Sequence, residues 1–363
     1  MSRVFRLAAK VATLVALVSL PANAQSLNEM AGQMIMVGFA GDSATDASVK
    51  AVAKEIAAGD LGGVMFLKTN VASKKAVIAM NAAFRAASPD LPPFISLDQE
   101  GGAVERLTSA VGFAEMPGAR DIAAANTPDA AKPLYKKQAA SIAAWGFNLN
   151  FAPVVDLSIN PDNQVIAKFG RAFSADPDKV TAYASAVIAA HHGAGLLTSL
   201  KHFPGHGSST ADSHEGYVDI TRTWQEAELT PYRQLIAGGY SDFVMVGHLI
   251  DTKVDPSGLP SSLSRVWIED VLRGKLGFTG VVISDDLEMG AIRKHFTLEE
   301  TVVRAVEAGV DVLLFSNTAK ARASLADEVR AIVVAKAEAE PAFRARVEAA
   351  YARIVALKAR IGT

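Results

Sequence analysis

Eight short runs of apolar and β-branched residues recur along this chain, separated by longer alanine-rich stretches with helical spacing. The runs fall at 34–39, 63–67, 94–97, 149–154, 197–201, 243–247, 281–284 and 312–315. Helical patterns lie at 46–58, 73–86, 130–145, 177–192, 224–237, 265–275 and 298–308. Several of the runs are hydrophobic throughout, which belongs to a parallel sheet covered on its outer face. Eight such units is the number that closes a (β/α)8, or TIM, barrel. A doubly wound open sheet competes, but it would carry a glycine-rich dinucleotide turn after an early strand, and no G-x-G-x-x-G stands there. No proline- or serine-rich linker divides the 363 residues. The chain therefore reads as α/β, a single (β/α)8 barrel over 25–363 with an extra C-terminal helix at about 341–361.

The formal net charge is −2 and the basic residues are scattered, so nothing points to nucleic acid or to an anionic membrane surface. There are no cysteines, which excludes disulfides, thiolate zinc sites, a cysteine nucleophile and an acylated N-terminal cysteine. The first residues read as a secretory signal peptide over 1–24. Arg3, Arg6 and Lys10 are basic, 11–20 is apolar except for Thr13 and Ser19, and Pro21 breaks the run. Ala22-Asn23-Ala24 then offers small residues for cleavage before Gln25. The apolar stretch is short for a bilayer span, and no other segment approaches the ~20 apolar residues such a helix needs. The expectation is an exported protein, periplasmic or secreted, with no stable membrane insertion after cleavage. A monomer is the simplest expectation.

Catalytic residues of a barrel sit at the C-terminal ends of strands and in the loops that follow. Here those positions hold Asp98-Gln99-Glu100, Asp156, Lys201-His202, His248 and Asp285-Asp286. Packing alone does not explain charge at so many strand ends. The segment from Phe203 to about Arg222 has little apolar periodicity, and loops of that length are usually functional or disordered. Within it Asp212-Ser213-His214 sets a carboxylate two residues from an imidazole. In extended backbone both point to one side and can hydrogen-bond, an arrangement suited to a general acid/base. A plain surface-loop histidine is the bland alternative. Only one of Asp285 and Asp286 can face the barrel mouth directly, and Asp285 is the better candidate. The alternative is that both cap the following helix.

The histidines also raise a metal-dependent hydrolase, since six of seven lie between His191 and His248. His191-His192 reads instead as a solvated helix end, and Pro204-Gly205 argues against a helical zinc pair at His202 and His206. No metal and no cofactor are expected.

The run Lys201-His202-Phe203-Pro204-Gly205-His206-Gly207, followed by Ala211-Asp212-Ser213-His214, resembles the signature of family 3 glycoside hydrolases of the bacterial β-N-acetylglucosaminidase type. Asp98-Gln99-Glu100-Gly101-Gly102, Asn150 to Asp156, Gly170-Arg171-Ala172-Phe173 and Ser284-Asp285-Asp286 are similar to further family blocks in the same order. The resemblance implies Asp285 as nucleophile and Asp212 with His214 as the acid/base pair. It also implies that Asp98, Arg106, Arg171, Lys201 and His202 hold the sugar hydroxyls and acetamido group. The implied reaction is retaining removal of terminal β-linked N-acetylglucosamine from peptidoglycan- or chitin-derived fragments, through a covalent glycosyl-enzyme. An Asp-x-His loop could close over bound sugar and exclude water. Ala103, where relatives often have arginine, and 163–169 depart from the family pattern. Phosphorolysis, cleavage of plain β-glucosides and a non-catalytic cell-wall binding role are the competing readings.

Overall fold

The computed structural model describes residues 25–318 and 321–361. The signal-peptide reading of 1–24 lies outside the described residues. All eight apolar runs form strands, buried at every position: β1 (Ile35–Gly38), β2 (Gly63–Phe66), β3 (Phe94–Leu97), β4 (Leu149–Asn150), β5 (Leu197–Phe203), β6 (Phe243–Val246), β7 (Val281–Ser284) and β8 (Leu313–Phe315). They pair in parallel in the order β8-β1-β2-β3-β4-β5-β6-β7. A parallel bridge from Ile283 to Val312 brings β7 back beside β8. The expected (β/α)8 barrel is the fold.

A helix follows each strand: α1 (Ala47–Ala57), α2 (Lys74–Ala87), α3 (Pro128–Ala144), α4 (Pro177–His192), α5 (Thr230–Ala237), the π-helix α6 (Val266–Lys275), α7 (Leu298–Ala308) and α8 (Leu325–Ala339). Their starts follow local chemistry. Ser73 and Thr127 accept backbone N–H groups of α2 and α3, Asp176 does so for α4, and Thr297 with Glu300 forms a capping box on α7. The C-terminal helix α9 (Pro341–Lys358) packs against α7 and α8.

Three boundaries differ from the sequence reading. The run at 149–154 pairs only over Leu149–Asn150, because Pro153 has no N–H to give the ladder. Val154 rejoins it as a single bridge to Lys201. The helix expected at 224–237 begins at Thr230, after a 3₁₀ turn at Glu226–Leu229. A short helix at Leu27–Gln33, capped by Ser26 and Glu29, precedes β1 and has no counterpart in that reading.

The main core is a large cluster through the barrel and its helical shell, with Phe39, Phe66, Phe84 and Phe147 meeting edge to face, and two small clusters lie apart from it, around Ile166 and around Val218. At the N-terminal end of the strands, Lys358 of α9 turns inward. Its Nζ donates to Gln33 Oε1 (2.6 Å) and Gly62 O (2.8 Å) and lies 4.9 Å from the Phe94 ring. A cation–π contact and two hydrogen bonds thus hold a fully buried lysine there.

Candidate active site

Asp98 and Glu100 leave β3 two residues apart, so both carboxylates point toward the barrel mouth. Gln99, between them, turns the other way. Its Oε1 accepts the N–H groups of Arg106 and Leu107, which fixes the segment that returns Arg106 to Asp98. Gly101 and Gly102 (φ 99° and 60°) make the intervening turn in a region that side chains disfavour. Arg106 Nη2 donates to Asp98 Oδ2 at 2.8 Å, and Lys201 Nζ to Asp98 Oδ1 at 2.7 Å. The same Lys201 Nζ lies 2.6 Å from Glu100 Oε1. Arg171 closes the group with a bidentate pair to Glu100, at 2.7 and 2.8 Å.

Burial alone would raise the Asp98 carboxyl, but Lys201 and Arg106 hold it well below the usual carboxylate range. For Glu100 the same contest between burial and its cations, Arg171 and Lys201, ends at about 2. Both are therefore anions at neutral pH.

The departure at 163–169 does not displace Arg171. Asn163 is buried, and its Nδ2 donates to His206 O at 2.8 Å and Ser209 Oγ at 2.9 Å, which pins that segment to the loop after β5. His202 Nδ1 donates to Asp156 Oδ2 at 2.7 Å, and His206 N donates to Asp156 Oδ1 at 2.7 Å. Asp156 thus organises both histidines of the Lys201–Gly207 motif. Burial pushes the His206 imidazole down to about 4, so the ring is neutral, and its Nε2 meets no partner among the described residues.

Asp285 stands at the end of β7. Burial raises its carboxyl, but His202 and His248 together with the Asp286 N–H leave it below the ordinary carboxylate value. Asp285 Oδ1 accepts that N–H at 2.8 Å, while Oδ2 meets no donor among the described residues. Asp286 takes the role of a backbone anchor, accepting the N–H groups of Glu288 and Ser316. His248 Nε2 donates to Asp286 O at 2.9 Å and Nδ1 lies 2.7 Å from Ser262 Oγ, so His248 props the chain immediately behind Asp285.

The Asp212–His214 pair forms, though not by the expected route. His214 Nδ1 lies 2.7 Å from Asp212 Oδ1, and the same oxygen accepts His214 N at 2.9 Å. A further bond from Glu215 N to Asp212 O makes the segment a turn rather than extended chain. An aspartate accepting the N–H two residues on is the usual way such a turn is built. Burial raises the Asp212 carboxyl, but the N–H groups of His214 outweigh it and keep the carboxylate charged. The His214 side chain is 67% exposed.

Asp98, Arg106, Arg171, Lys201, His202, His214 and Asp285 all line one cavity of about 380 Å³; Asp212 reaches it through His214. That volume lies at the small end of ligand pockets. The structure adds Glu100, Asp156, His206 and His248 as supports. Glu100, Asp156 and His248 were legible as polar strand ends and His206 as part of the Lys201–Gly207 run, but what each of them touches was not. The reading of His191-His192 as a solvated helix end holds for the exposed His192 and is corrected for His191. His191 is fully buried, its Nδ1 donating to Val187 O and its Nε2 facing Asn150 Nδ2, and His192 Nε2 pairs with Asp242 at 2.7 Å. No group of three or more metal-ligating side chains occurs among the described residues.

The profile of the glycosyl hydrolase family 3 N-terminal domain matches residues 26–357. A β-hexosaminidase of Stenotrophomonas maltophilia strain R551-3 is 38% identical over 290 residues, spanning 77% of this chain and 82% of its own. A β-hexosaminidase of Pseudomonas aeruginosa strain LESB58 is 38% identical over 272 residues, with 74% and 78% covered. Among solved structures, the β-N-acetylhexosaminidase of Beutenbergia cavernae superimposes with a TM-score of 0.81 at 32% identity, covering 92% of this chain and 99% of that one. The family 3 β-N-acetylglucosaminidase of Paenibacillus sp. FPU-7 gives 0.83 at 34% identity, covering 93% and 63%.

Proposed function

The chain belongs to glycosyl hydrolase family 3 and is a glycoside hydrolase of the β-hexosaminidase kind, and from that premise we propose that it removes terminal β-linked N-acetylglucosamine by double displacement on Asp285. One observation carries the reading: Asp285 lines the cavity and its hydrogen bond falls on Oδ1, leaving Oδ2 without a donor among the described residues, while both oxygens of Asp98 are held by cations. A charged, unsaturated carboxylate oxygen beside space is what a nucleophile requires.

In the first step Asp285 Oδ2 bonds to the anomeric carbon as the bond to the leaving oxygen breaks, and that oxygen takes a proton from His214. In the second, His214 takes a proton from water as the water oxygen bonds to the same carbon and the carboxylate departs. Two inversions retain configuration. Asp212 stabilises the imidazolium form, and a neutral imidazole adds no second negative charge beside Asp285. Asp98, Arg106, Arg171, Lys201 and His202 would bind the hydroxyl and acetamido groups, because cations already fixed by carboxylates are preorganised donors. A cavity of about 380 Å³ suits a single terminal sugar. With the export signal read at 1–24, the substrates would be peptidoglycan- or chitin-derived fragments outside the inner membrane; N-terminal sequencing of the mature protein tests that part.

The test of the chemistry is nitrophenol release from nitrophenyl β-N-acetylglucosaminide in phosphate-free buffer with chelator, comparing the parent with Asp285→Asn. Rapid release, lost by roughly 10³-fold or more in the variant, is expected. Undiminished release by Asp285→Asn sinks the nucleophile assignment. A requirement for added phosphate, with a sugar 1-phosphate as product, would replace hydrolysis by phosphorolysis.

A further inference from the structure

The loop that carries Asp212 and His214 lies on the single helical turn Gly290–Arg293, which follows the strand of Asp285. The first N–H groups of a helical turn have no partner within it. Here Gly290 N donates to His214 O at 3.2 Å and Ala291 N to Ser213 O at 3.1 Å. Just past the turn, Lys294 Nζ donates to Glu215 O, and the His295 ring stacks on Tyr217 with centroids 3.6 Å apart and planes 13° apart. At Gly290 the approach is too close for any side chain, since a Cβ there would lie 2.5 Å from His214 O.

His214 follows β5 and Asp285 ends β7, and β6 lies between them. No direct strand pairing therefore sets the distance from proton carrier to nucleophile. The turn at 290 joins them. It is five residues from Asp285 along the chain and hydrogen-bonded to the backbone of His214.

We propose that the segment Gly290–His295 is a positioning clamp that holds His214 over the leaving oxygen. The missing side chain of Gly290 sets the approach, and the Tyr217–His295 stack latches the far end of the loop. The inference rests on the reading of His214 as proton carrier. A clamp of this kind serves proton donation and not the attack by Asp285, so its loss is felt in proportion to the leaving group's need for a proton. A sugar alcohol leaves only when protonated, whereas dinitrophenolate leaves unaided. General acid catalysis contributes about 10²–10⁴-fold where it is needed.

The experiment measures kcat/KM, which reports the first chemical step, on di-N-acetylchitobiose and on 2,4-dinitrophenyl β-N-acetylglucosaminide. The proteins are the parent, His214→Ala, Gly290→Ala, His295→Ala and His295→Phe. His214→Ala should lose about 10²-fold on the disaccharide and far less on the dinitrophenyl sugar. Gly290→Ala and His295→Ala should follow the same pattern at about tenfold on the disaccharide, with dinitrophenyl turnover near the parent's. His295→Phe keeps an aromatic face and should recover. Dinitrophenyl turnover also shows that each variant is folded. If Gly290→Ala and His295→Ala lose equally on both substrates, or lose nothing, while His214→Ala discriminates, the clamp is overturned. A His214→Ala enzyme that fails to discriminate overturns the role of His214 itself, and the clamp with it.

Discussion

Both ends of the barrel bury charge, and they do so to different purpose. At the N-terminal end, Asp242 Oδ1 accepts from Arg360 while Oδ2 accepts from Thr198 N and Oγ1 and faces His192. Asp311 sits between Arg273 and Arg353 and also accepts Val282 N. Every oxygen of these two carboxylates meets a donor. The C-terminal end repeats that economy at Asp98, Glu100 and Asp156, and then breaks it at Oδ2 of Asp285 and at Oδ2 of its neighbour Asp286, whose two bonds both fall on Oδ1. Buried ionic networks are thus no mark of an active site by themselves. An unsaturated acceptor beside open volume is.

The comparison can be broken at either end. The largest expected effect is Asp285→Asn at the mouth: roughly 10³-fold or more off kcat, with the urea midpoint nearly unchanged because no cation loses its partner. Equal loss of stability would mean that Asp285 is structural. At the other end, Asp242→Asn removes the charge facing Arg360 and His192 and should cost about 3 kcal/mol of unfolding free energy. Its kcat should stay within about twofold of the parent's, and a large activity loss there would erase the distinction between the ends.

The two ends should also respond oppositely to pH. Glu228 accepts the N–H groups of Gly207 and Ser208 in the mouth loop, and burial pushes its carboxyl up to about 7. A carboxyl raised on folding stabilises fully below its unfolded value near 4.5, and that contribution is lost as pH rises through about 7. Lys358 is the reverse case, lowered by burial from 10.5 to about 7. The unfolded chain then binds the extra proton, so stability rises with pH between those values. Relative to Glu228→Gln, the parent should lose about 2 kcal/mol from pH 5 to 7. Relative to Lys358→Met it should gain about 2 kcal/mol from pH 7 to 9. Urea unfolding at three pH values reads both, and slopes of one sign would show that the ends do not differ in this way. The smallest effect sharpens the mouth network. Arg171→Lys keeps the charge and loses the bidentate geometry on Glu100, so KM should rise about tenfold with kcat little changed.

How much of this was legible varies by residue. The strands could be read because buried parallel strands are apolar throughout, and that pattern needs no tertiary information. Asp98, Lys201 and Asp285 could be read because strand ends in a barrel converge. Asp156 and His248 were visible as polar strand ends, but their work lies in what they touch, His202 in one case and the Asp286 carbonyl in the other. His191 misled because a histidine late in a helix looks solvated until the facing strand supplies Asn150. The Asp212–His214 bond was foreseen for the wrong backbone, since extended chain and an aspartate turn both bring those two side chains together.

By itself the sequence determined the barrel, its strand order and the end at which the chemistry gathers, because hydrophobic periodicity and chain direction are local properties. Only the tertiary structure decided which charges are saturated and which are open, and how His214 is held relative to Asp285. Those are matters of contact between loops far apart in the chain: residue 214 against 290, 171 against 100, 201 against 98. No periodicity encodes such distances, since each depends on where closure of the barrel sets the ends of strands that are remote in sequence.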